Sequence, residues 1–573
     1  MKEWTQVISS FDVISFDVFD TLLLRPYLTQ EDLWLDLGRR ELGEKDAAAF
    51  QKARIAADKQ TYAEATKRGG EHTLEEAYRL MPKRYASLME QEEQLQRECL
   101  VANPEMLEVW QRVGEFGKKR VIVSDMYLAR SVIEAALREN GIDGWDAIYV
   151  SGERQRRKST GALYEIVKRD WGNGRILHVG DNAYSDVRKA KEQGLESFHY
   201  ENIWSRFVVE CPFVESWLIA CPSHEKRKAI GVLTLGWHLY KCKNSGWTYW
   251  NRLGFLFGGV LGYLYVQWLV GEARKHGVKR LLFVARDGYV WQKICNEICP
   301  EIKTEYVYAP RAVSIAVLGA GNVNTWSGRD RQCYAAERLK DCRPDEVLKR
   351  YSAYLSRFAI GADDALVDGC SSFFSAQRLV EAACGGAVRT FYLHAMSPIR
   401  LGESLFLTDA VSYPFQYLSE FAFGAPEAPI KDVDADGPVY EERPPEAEAF
   451  KMSVSREIAD GAVACAKFLA HFHVALTRQD WLDCYVAFAE NLTGEDVQNL
   501  SSARNAVDVG QRQFGPAVRK LMSRRAVQRF GMRIGEWRWR LLPQGIDEEF
   551  WFMGRWLAFA RKRELEIWRA YQG

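Results

Sequence analysis

Polar residues at four points in the first 200 positions have the types and order needed to transfer a phosphoryl group. Asp17 ends the apolar stretch VISFD, Ser124 ends VIVS, Lys158 lies in RRKSTG, and Asp181 and Asp186 frame GDNAYSD. A carboxylate nucleophile that attacks a dianionic phosphate ester needs positive charge nearby. Lys158 and a magnesium ion held by Asp17 and Asp181 would provide that charge. Ser124 can donate a hydrogen bond to a phosphoryl oxygen, and Asp186 can ligate the metal directly or orient its water shell.

A purely structural interpretation of the same residues stays open. A single aspartate at a strand end is commonly a helix cap or a solvated turn residue, and Gly-Asp often marks a turn. A fold that has lost its catalytic activity is a further alternative. The order of the four groups favours a working phosphotransferase site.

These residues, in this order, resemble the motifs of the haloacid dehalogenase superfamily. Motif one matches FDVFDT, motif two Ser124, motif three Lys158 and motif four GDNAYSD, and the resemblance covers about residues 10–205. It implies a Rossmannoid domain, an aspartyl-phosphate intermediate on Asp17 and a requirement for Mg²⁺. The segment between motifs one and two, whose sequence pattern is helical, would form the inserted cap of this family.

The first motif departs from the phosphatases of that superfamily at one position. Phe19 stands two residues after Asp17, where those enzymes carry the acid that protonates the leaving group. The resemblance still implies that the Phe19 carbonyl contacts the metal and that Thr21 contacts the phosphoryl group. We expect Asp20, the next residue along, to supply the missing acid. The alternative is that Asp20 caps the turn after the strand.

A second set of polar strand ends lies in the later half of the chain. Asp287 follows a strand in VARDGY, and Asp368 follows another in LVDGCSSFFSAQ. Backbone amides and hydroxyls at the start of the helix that follows Asp368 suit a phosphate, and arginines would bind further anionic oxygens. Ordinary strand-end turns with helix caps are the alternative interpretation. The candidate anion-binding residues are Arg286, Arg311, Gly369, Ser371, Ser372 and Ser375.

The chain as a whole resembles the dual-domain ribofuranosyltransferases of bacterial surface-polysaccharide assembly. The resemblance rests on the N-terminal motifs joined to RDGY, YVYAPR and VDG in the later half. It implies that the C-terminal domain transfers 5-phosphoribosyl from phosphoribosyl diphosphate to a glycan acceptor, with Asp287 and Asp368 among its catalytic groups. The N-terminal domain would then remove the 5-phosphate. His394 and Glu420 are weaker candidates, for which a structural role is favoured.

The elements that position these residues are strands alternating with helices. Apolar stretches at 121–124, 147–151 and 176–180 alternate with helical segments, and so do those at 280–286, 304–310, 364–369 and 388–395. Such alternation predicts two α/β domains with parallel sheets and functional groups at the carboxyl ends of the strands. We expect a phosphatase domain at 1–215, with a cap at about 27–115. A transferase domain at 216–573 would follow, with a loop at 424–446 and a helical part from about 446.

Composition excludes several classes of function. The 573 residues contain 77 Lys+Arg and 77 Asp+Glu, so overall charge does not indicate nucleic-acid binding. The 12 cysteines form no CxxC pair, and the N-terminus MKEWTQVISS lacks the apolar core of a signal peptide. A cytoplasmic protein with free thiols is expected. The uncharged segment 253–271 approaches membrane-spanning length, but its glycines and amphipathic continuation favour a buried core helix.

The C-terminal segment 512–540 is strongly basic and is followed by an aromatic-rich stretch. A basic amphipathic helix with Trp suits an anionic membrane surface or a lipid-diphosphate-linked acceptor. A solvated helix that packs its Trp residues inward is slightly favoured over such peripheral membrane contact.

The sequence thus predicts a bifunctional enzyme that adds phosphoribose to a polysaccharide acceptor and then dephosphorylates it. One alternative is a stand-alone magnesium-dependent phosphatase for sugar phosphates or nucleotides, with a glycan-binding second domain. The other is a non-catalytic scaffold for polysaccharide assembly.

Overall fold

The structure is a computed structural model. It describes residues 2–172, 174–220, 223–244, 247–319, 328–340, 343–370, 374–394, 401–408, 413–500, 502–506 and 514–516. The chain forms two compact units. The first comprises residues 1–211 and 222–245, and the second comprises residues 212–221 and 246–573. The chain therefore changes unit three times between residues 211 and 246, where the sequence predicts one boundary near 215. The Lys228 ammonium lies 2.8 Å from Asp36 in the first unit, which explains why residues 222–245 group with that unit.

The first unit contains a five-stranded parallel sheet and a two-stranded ladder. Its strands are β1 (Val13–Phe16), β2 (Leu23–Leu24), β3 (Val101–Ala102), β4 (Lys119–Ser124), β5 (Ala147–Val150), β6 (Ile176–Gly180) and β7 (Glu196–His199). The parallel sheet has the order β5-β4-β1-β6-β7, so the central β1 is hydrogen-bonded to both β4 and β6. The antiparallel pair β2–β3 joins the two ends of the inserted cap.

Helices surround this sheet and form the cap. They are α1 (Lys2–Ser9), α2 (Gln30–Leu42), α3 (Glu44–Lys67), α4 (Leu74–Leu80), α5 (Leu88–Glu98), α6 (Pro104–Glu115), α7 (Arg130–Glu139), α8 (Ser151–Arg154), α9 (Ala162–Trp171), α10 (Ala190–Glu192), α11 (Ile203–Glu210) and α13 (His224–Lys243). Helix α12 (Phe213–Ala220) belongs to the second unit. A 3₁₀ turn spans Lys83–Tyr85 and a π-helix spans Ala183–Lys189. Helix α6 packs Trp110 against Phe16 of β1, with ring centroids 5.4 Å apart, so it covers the sheet. The cap itself is α2–α5.

The second unit is built on another five-stranded parallel sheet. The described strands of this unit are β8 (Arg280–Val284), β9 (Lys303–Val307), β10 (Asp364–Cys370), β11 (Thr390–His394), β12 (Ser404–Thr408), β13 (Ile430–Asp434), β14 (Gly437–Tyr440), β15 (Arg504–Ala506) and β16 (Phe514–Pro516). The parallel sheet has the order β12-β11-β10-β8-β9. The pairs β13–β14 and β15–β16 are antiparallel.

The remaining described helices belong to this second unit. They are α14 (Tyr249–Leu253), α15 (Gly259–Lys275), α16 (Tyr289–Ile298), α17 (Arg311–Leu318), α18 (Gly328–Arg338), α19 (Pro344–Leu355), α20 (Ser375–Cys384), α21 (Tyr413–Ala422), α22 (Glu446–His471), α23 (Arg478–Glu490) and α24 (Gly494–Leu500). A π-helical segment, Gly254–Gly258, connects α14 to α15, and a 3₁₀ turn spans Ser356–Phe358.

The α/β fold class expected from the sequence is confirmed in both units, including the capped Rossmannoid sheet of the first. Two local expectations are wrong. Residues 424–446 are not wholly loop, because β13 and β14 form a hairpin there. The part from 446 onward is not helical throughout, because β15 and β16 also pair. The basic segment 512–540 lies outside the described residues except for 514–516.

The apolar segment 253–271 is a core helix, as expected. It belongs to the helical stretch Tyr249–Lys275, the one candidate membrane span among the described residues, and 89% of its apolar window is buried. Close backbone contact with α22 explains its glycines. A Cβ on Gly254 would lie 2.0 Å from the Ile458 carbonyl oxygen, and one on Gly461 would lie 2.1 Å from that of Asn251.

Candidate active sites

The carboxyl end of β1 holds the first site. The strand is buried along its whole length, and the Asp17 amide that follows it donates to the Val179 carbonyl of β6 at 2.9 Å. Asp17 is only 7% exposed. Its carboxylate lies 2.6 Å from the Lys158 ammonium, which also lies 2.7 Å from Asp186. The structure therefore brings together three of the residues that the sequence predicts, with one cation between two buried acids.

Asp186 is hydrogen-bonded on both of its carboxylate oxygens. Besides Lys158, His178 lies 3.2 Å from its Oδ1, and the Tyr164 hydroxyl donates to the same oxygen at 3.3 Å. Its Oδ2 accepts from the Asn182 amide at 3.0 Å. These donors leave little of the carboxylate for a metal ion. The geometry favours the orienting role for Asp186 over direct ligation.

Asp125 positions the lysine loop, and the sequence analysis missed it. Its carboxylate accepts hydrogen bonds from the backbone amides of Lys158 at 2.7 Å and Ser159 at 3.3 Å. This pairing fixes the start of the loop that carries Lys158. The signal was present in the sequence, because Asp125 directly follows Ser124 at the end of β4.

Burial and neighbouring charges shift the pKa values of the first site in different directions. Burial raises the pKa of Asp17 well above its usual range, against the opposing effect of Lys158. Burial, together with the charges of Asp20 and Asp186, raises the pKa of Asp181 to about 6. Burial alone would lower the pKa of Lys158, but Asp17 and Asp186 outweigh it and raise that pKa. Burial would also raise the pKa of Asp186, but Lys158 and His178 hold it below its usual value. Asp17 and Asp181 are therefore the acids that favour additional positive charge.

The acidic residues suit a hard divalent cation. Oxygen atoms of Asp17, Asp181 and Asp186 lie within 4.8 Å of one another. Carboxylate oxygens are the ligands that Mg²⁺ prefers, and Lys158 is the one cation that pairs with these acids among the described residues. Asp17 and Asp181 would hold such an ion, and Asp186 would orient its surroundings.

Two buried hydroxyl groups in the same region have no hydrogen-bond partner within the described structure. They are Thr21 Oγ1, in the loop after β1, and Ser124 Oγ, at the end of β4. The β1–β4 register pairs Phe16 with Ile122, and its continuation brings Ser124 level with Val18. Buried hydroxyls are almost always hydrogen-bonded in folded proteins. Two that are unsatisfied in this region point to a bound group with acceptor oxygens.

Phe19 and Asp20 occupy different environments. Phe19 is buried in the apolar core shared with the cap, so its side chain takes no part in proton transfer. Asp20 has a φ of 58°, a left-handed conformation, and its carboxylate lies 3.2 Å from the Arg25 guanidinium. The Asp20 charge contributes to the raised pKa of Asp181, so the Asp20 side chain lies within electrostatic reach of the metal-binding acids.

A second acidic site lies at the carboxyl ends of β8 and β10. Burial, together with the charge of Asp287, raises the pKa of Asp368 to about 7. A Cβ on Gly369 would lie 3.6 Å from the Asp287 carboxylate, so these strand ends approach closely. The Gly369 amide donates to Asp368 at 2.8 Å. The structure therefore brings Asp287, Asp368 and Gly369 together.

Side chains from α22 complete this second site, and the sequence analysis missed them. Arg286, which has a φ of 74°, pairs with the buried Glu448. Burial would raise the pKa of Glu448, but Arg286, Lys451 and Arg311 hold it below its usual value. In the described part of the chain, neither Lys451 nor Arg311 forms an ion pair or a side-chain hydrogen bond. Both cations lie within electrostatic reach of Glu420 and Glu448, and an anionic ligand would have to displace none of their side-chain hydrogen bonds among the described residues.

The structure describes some of the other residues predicted for the second site. Glu420 lies within electrostatic reach of Asp287, Arg311 and Lys451, and burial raises its pKa. His394 is buried at the end of β11, and burial lowers its pKa to about 4. Ser375 is the first residue of α20. Ser371 and Ser372 lie outside the described residues.

Comparison with known proteins gives little support beyond these geometries. No family model matches the chain. No curated protein matches it either. Among solved structures, an L-2-haloacid dehalogenase from Xanthobacter autotrophicus is similar at 18% identity, over 35% of this chain and 83% of that one, with a TM-score of 0.25. The same enzyme with chloropropionic acid covalently bound is similar at 17% identity, over the same shares and with the same TM-score.

A third solved structure, a dehalogenase with an intermediate complex, is similar at 15% identity. The match covers 33% of this chain and 84% of that one, again with a TM-score of 0.25. Likeness at this level is too low to bear on the activity of this chain.

Proposed function

We propose that the first unit is a magnesium-dependent phosphatase that uses Asp17 as its nucleophile. The observation that carries this proposal is the buried Asp17–Lys158–Asp186 arrangement beside the unpaired Asp181 carboxylate. The unsatisfied hydroxyls of Thr21 and Ser124 add two donors for phosphoryl oxygens. A phosphomonoester therefore fits the charges and the donors of this site.

The reaction follows from the roles of these side chains. The Asp17 carboxylate attacks phosphorus and forms an aspartyl phosphate, while the ester oxygen leaves as an alcohol after taking a proton from Asp20. Lys158 compensates the negative charge that Asp17 and the phosphoryl group bring together. Water then attacks the aspartyl phosphate, Asp20 takes a proton from that water, and phosphate leaves. A magnesium ion at Asp17 and Asp181 would supply further positive charge against the phosphoryl oxygens.

Phosphate release from ribose 5-phosphate tests this proposal. Wild-type protein should release phosphate with Mg²⁺ and lose that activity when the metal is chelated. Asp17→Asn and Asp181→Asn should both be inactive, whereas Asp46→Asn, at an exposed acid of the cap, should match the wild type. Undiminished phosphate release by Asp17→Asn would exclude Asp17 as the nucleophile.

We further propose that the second unit transfers 5-phosphoribosyl from phosphoribosyl diphosphate to a polysaccharide acceptor, so that the phosphatase acts on its product. This proposal is supported by two neighbouring acids, Asp287 and Asp368, beside the cations Arg311 and Lys451. The acids suit ribose hydroxyls or a metal, and the cations suit the diphosphate. The raised pKa of Asp368 is appropriate for a group that exchanges a proton with an acceptor hydroxyl near neutral pH.

The mass of a glycan acceptor tests this second proposal. After incubation with phosphoribosyl diphosphate and Mg²⁺, wild-type protein should add a pentose, and Asp17→Asn should add a phosphopentose. Asp368→Asn should add neither, yet retain phosphatase activity. If the acceptor is unchanged while phosphate is still released from ribose 5-phosphate, the phosphatase stands and the transferase proposal falls.

A further inference from the structure

A cavity of about 530 Å³ lies in the second unit between α16, β9, α22 and the segment that precedes β13. Its volume falls within the roughly 300–1,000 Å³ of small-ligand sites. The side chains that matter for its chemistry are Tyr289, Gln292, Lys293, Tyr306, Arg456 and Asp460.

Several polar groups of this cavity are not engaged elsewhere. In the part of the chain that the structure describes, neither Arg456 nor Asp460 forms an ion pair or a side-chain hydrogen bond. Lys293 makes a cation–π contact with Tyr289, at 5.1 Å from the ring centroid. Arg456 and Asp460 are exposed, so a ligand in the cavity can bind them without breaking contacts within the described structure.

The lining selects a class of ligand. Lys293 and Arg456 are balanced by Asp460 and Glu427, so the cavity has no net charge that would attract a polyanion. The Tyr289 ring offers an apolar face beside its contact with Lys293. The charged groups offer hydrogen bonds, and so does the side-chain oxygen of Gln292, whose side-chain nitrogen donates to Thr304 at 3.2 Å. This combination of a ring face with many hydrogen-bonding groups suits an uncharged sugar, whose rings have both C–H faces and hydroxyls.

The cavity is joined to the acidic site of the second unit by short connections. The Tyr306 hydroxyl, which lines the cavity, accepts a hydrogen bond from the Arg286 amide at 2.6 Å and donates to Glu427 at 2.8 Å. Tyr289 follows Asp287 by two residues, at the start of α16. A ligand held in the cavity therefore lies beside the strand end that carries Asp287.

We propose that this cavity binds uncharged sugar residues of the acceptor glycan and presents the acceptor to the site at Asp287 and Asp368. The inference rests on the proposed transferase function, because it assigns the acceptor of that reaction to a particular surface. Tyr289 supplies the stacking face, and Gln292 and Arg456 supply hydrogen bonds to hydroxyls.

Calorimetric titration of the full-length protein with a panel of uncharged bacterial surface oligosaccharides, without phosphoribosyl diphosphate, tests this assignment. Wild-type protein should bind at least one member of the panel, and Tyr289→Phe should retain that binding because it keeps the ring. Tyr289→Ala and Arg456→Ala should each weaken it about tenfold, the factor that corresponds to about 1.4 kcal/mol. Phe116→Ala, at an exposed aromatic residue of the first unit, should bind as the wild type does.

Two results would overturn the sugar site, namely no binding of any panel member or unchanged affinity in both Tyr289→Ala and Arg456→Ala. Circular dichroism of each variant identifies loss of folding. Two further outcomes distinguish the sugar site from the transferase proposal. Sugar binding at this cavity without pentose transfer retains the site and removes the transferase. Pentose transfer with an unchanged acceptor KM in both Ala variants removes the site and retains the transferase.

Discussion

At the residue scale, the Lys158 ammonium is the electrostatic centre of the first site. It lies within 2.7 Å of two buried carboxylates, those of Asp17 and Asp186, and is itself 3% exposed. Charges buried in this way are stable only while each has a partner. The same lysine therefore stabilises the fold and, in the proposed phosphatase, would also serve the chemistry of the site.

Replacement of Lys158 should lower both the stability and the phosphatase activity of the protein. Lys158→Met leaves two buried acids without their shared cation, which typically costs about 3–5 kcal/mol. We expect a lower thermal unfolding temperature together with loss of phosphatase activity. Lys168→Met, which removes a solvent-facing lysine of α9, is the control and should change neither. An unchanged unfolding temperature in Lys158→Met would contradict the buried ion pairs.

Asp20 is the residue on which the proton transfer of the proposed phosphatase depends. Asp20→Asn should lower turnover by about 10²–10⁴, the usual contribution of general acid–base catalysis. Asn tolerates the left-handed backbone at this position, so the loop should keep its shape. The measurement is kcat for ribose 5-phosphate, and Arg25→Gln, which removes the other member of the ion pair, is the comparison for loss of that pair. Wild-type turnover in Asp20→Asn would assign the proton to another group.

At the element scale, a buried network of hydrogen bonds and ion pairs connects the cap to the loop that carries Lys158. Glu71 lies between the ring of His72, at 2.9 Å, and the guanidinium of Arg157, at 3.1 Å. The other ring nitrogen of His72 lies 3.1 Å from Asp58 of α3. Because both nitrogens face carboxylates, the imidazolium form satisfies both contacts. The cap is thus connected, through a charged histidine and Glu71, to Arg157, the residue before Lys158.

The stability of the first unit should depend on pH through His72. Burial alone would lower its pKa, but the contacts with Asp58 and Glu71 raise it to about 9, above the 6.5 of an ordinary histidine. A raised pKa means that the folded state binds the proton more tightly than the unfolded state does. The stabilisation is therefore complete below about pH 6.5 and is lost as pH rises through 9.

Thermal unfolding measured from pH 6 to pH 10 checks this expectation. Over the upper part of that range, the unfolding temperature of the wild type should fall by more than that of His72→Gln, which lacks the titrating ring. Parallel pH profiles in the two proteins would show that His72 does not link the cap to pH.

The central parallel strands were predicted well from the sequence, whereas of the edge strands β5 and β9 were predicted and β7 and β12 were not. The strand ILHVG at 176–180 is found as expected because buried parallel strands are continuous apolar runs. Strand β7, with the sequence ESFH, lies at the sheet edge and is partly exposed, so its residues carry no such signal. The β13–β14 hairpin was hidden by its acidic, proline-flanked composition.

At the scale of the whole molecule, the residues of each site come from distant parts of its unit. The first-site residues were predicted from their order along the chain and from the apolar strands beside some of them, since Asp17 and Asp181 directly follow β1 and β6 and Ser124 ends β4. Glu448 and Lys451 were missed because they lie on a long helix far along the chain from Arg286, and contacts of that range leave no local pattern. The contacts that Glu448 and Lys451 make in the second site are seen only in the packing of α22.

The two proposed activities should be separable within one chain. Asp17→Asn should accumulate acceptor that carries phosphopentose, whereas Asp368→Asn should release phosphate from ribose 5-phosphate at the wild-type rate. Mass spectrometry of the acceptor and a phosphate assay on the same two variants give both measurements. Loss of both activities in both correctly folded variants would contradict a division of labour between the two units.

The most direct measurement of the central claim is the mass of the peptide that contains Asp17 after an acid quench during turnover. With Mg²⁺ and ribose 5-phosphate, we expect one added phosphoryl group on Asp17, and none on this peptide in Asp17→Asn. Phosphate release by the wild type without this adduct, or with a phosphoryl group on a different residue, would contradict Asp17 as the nucleophile.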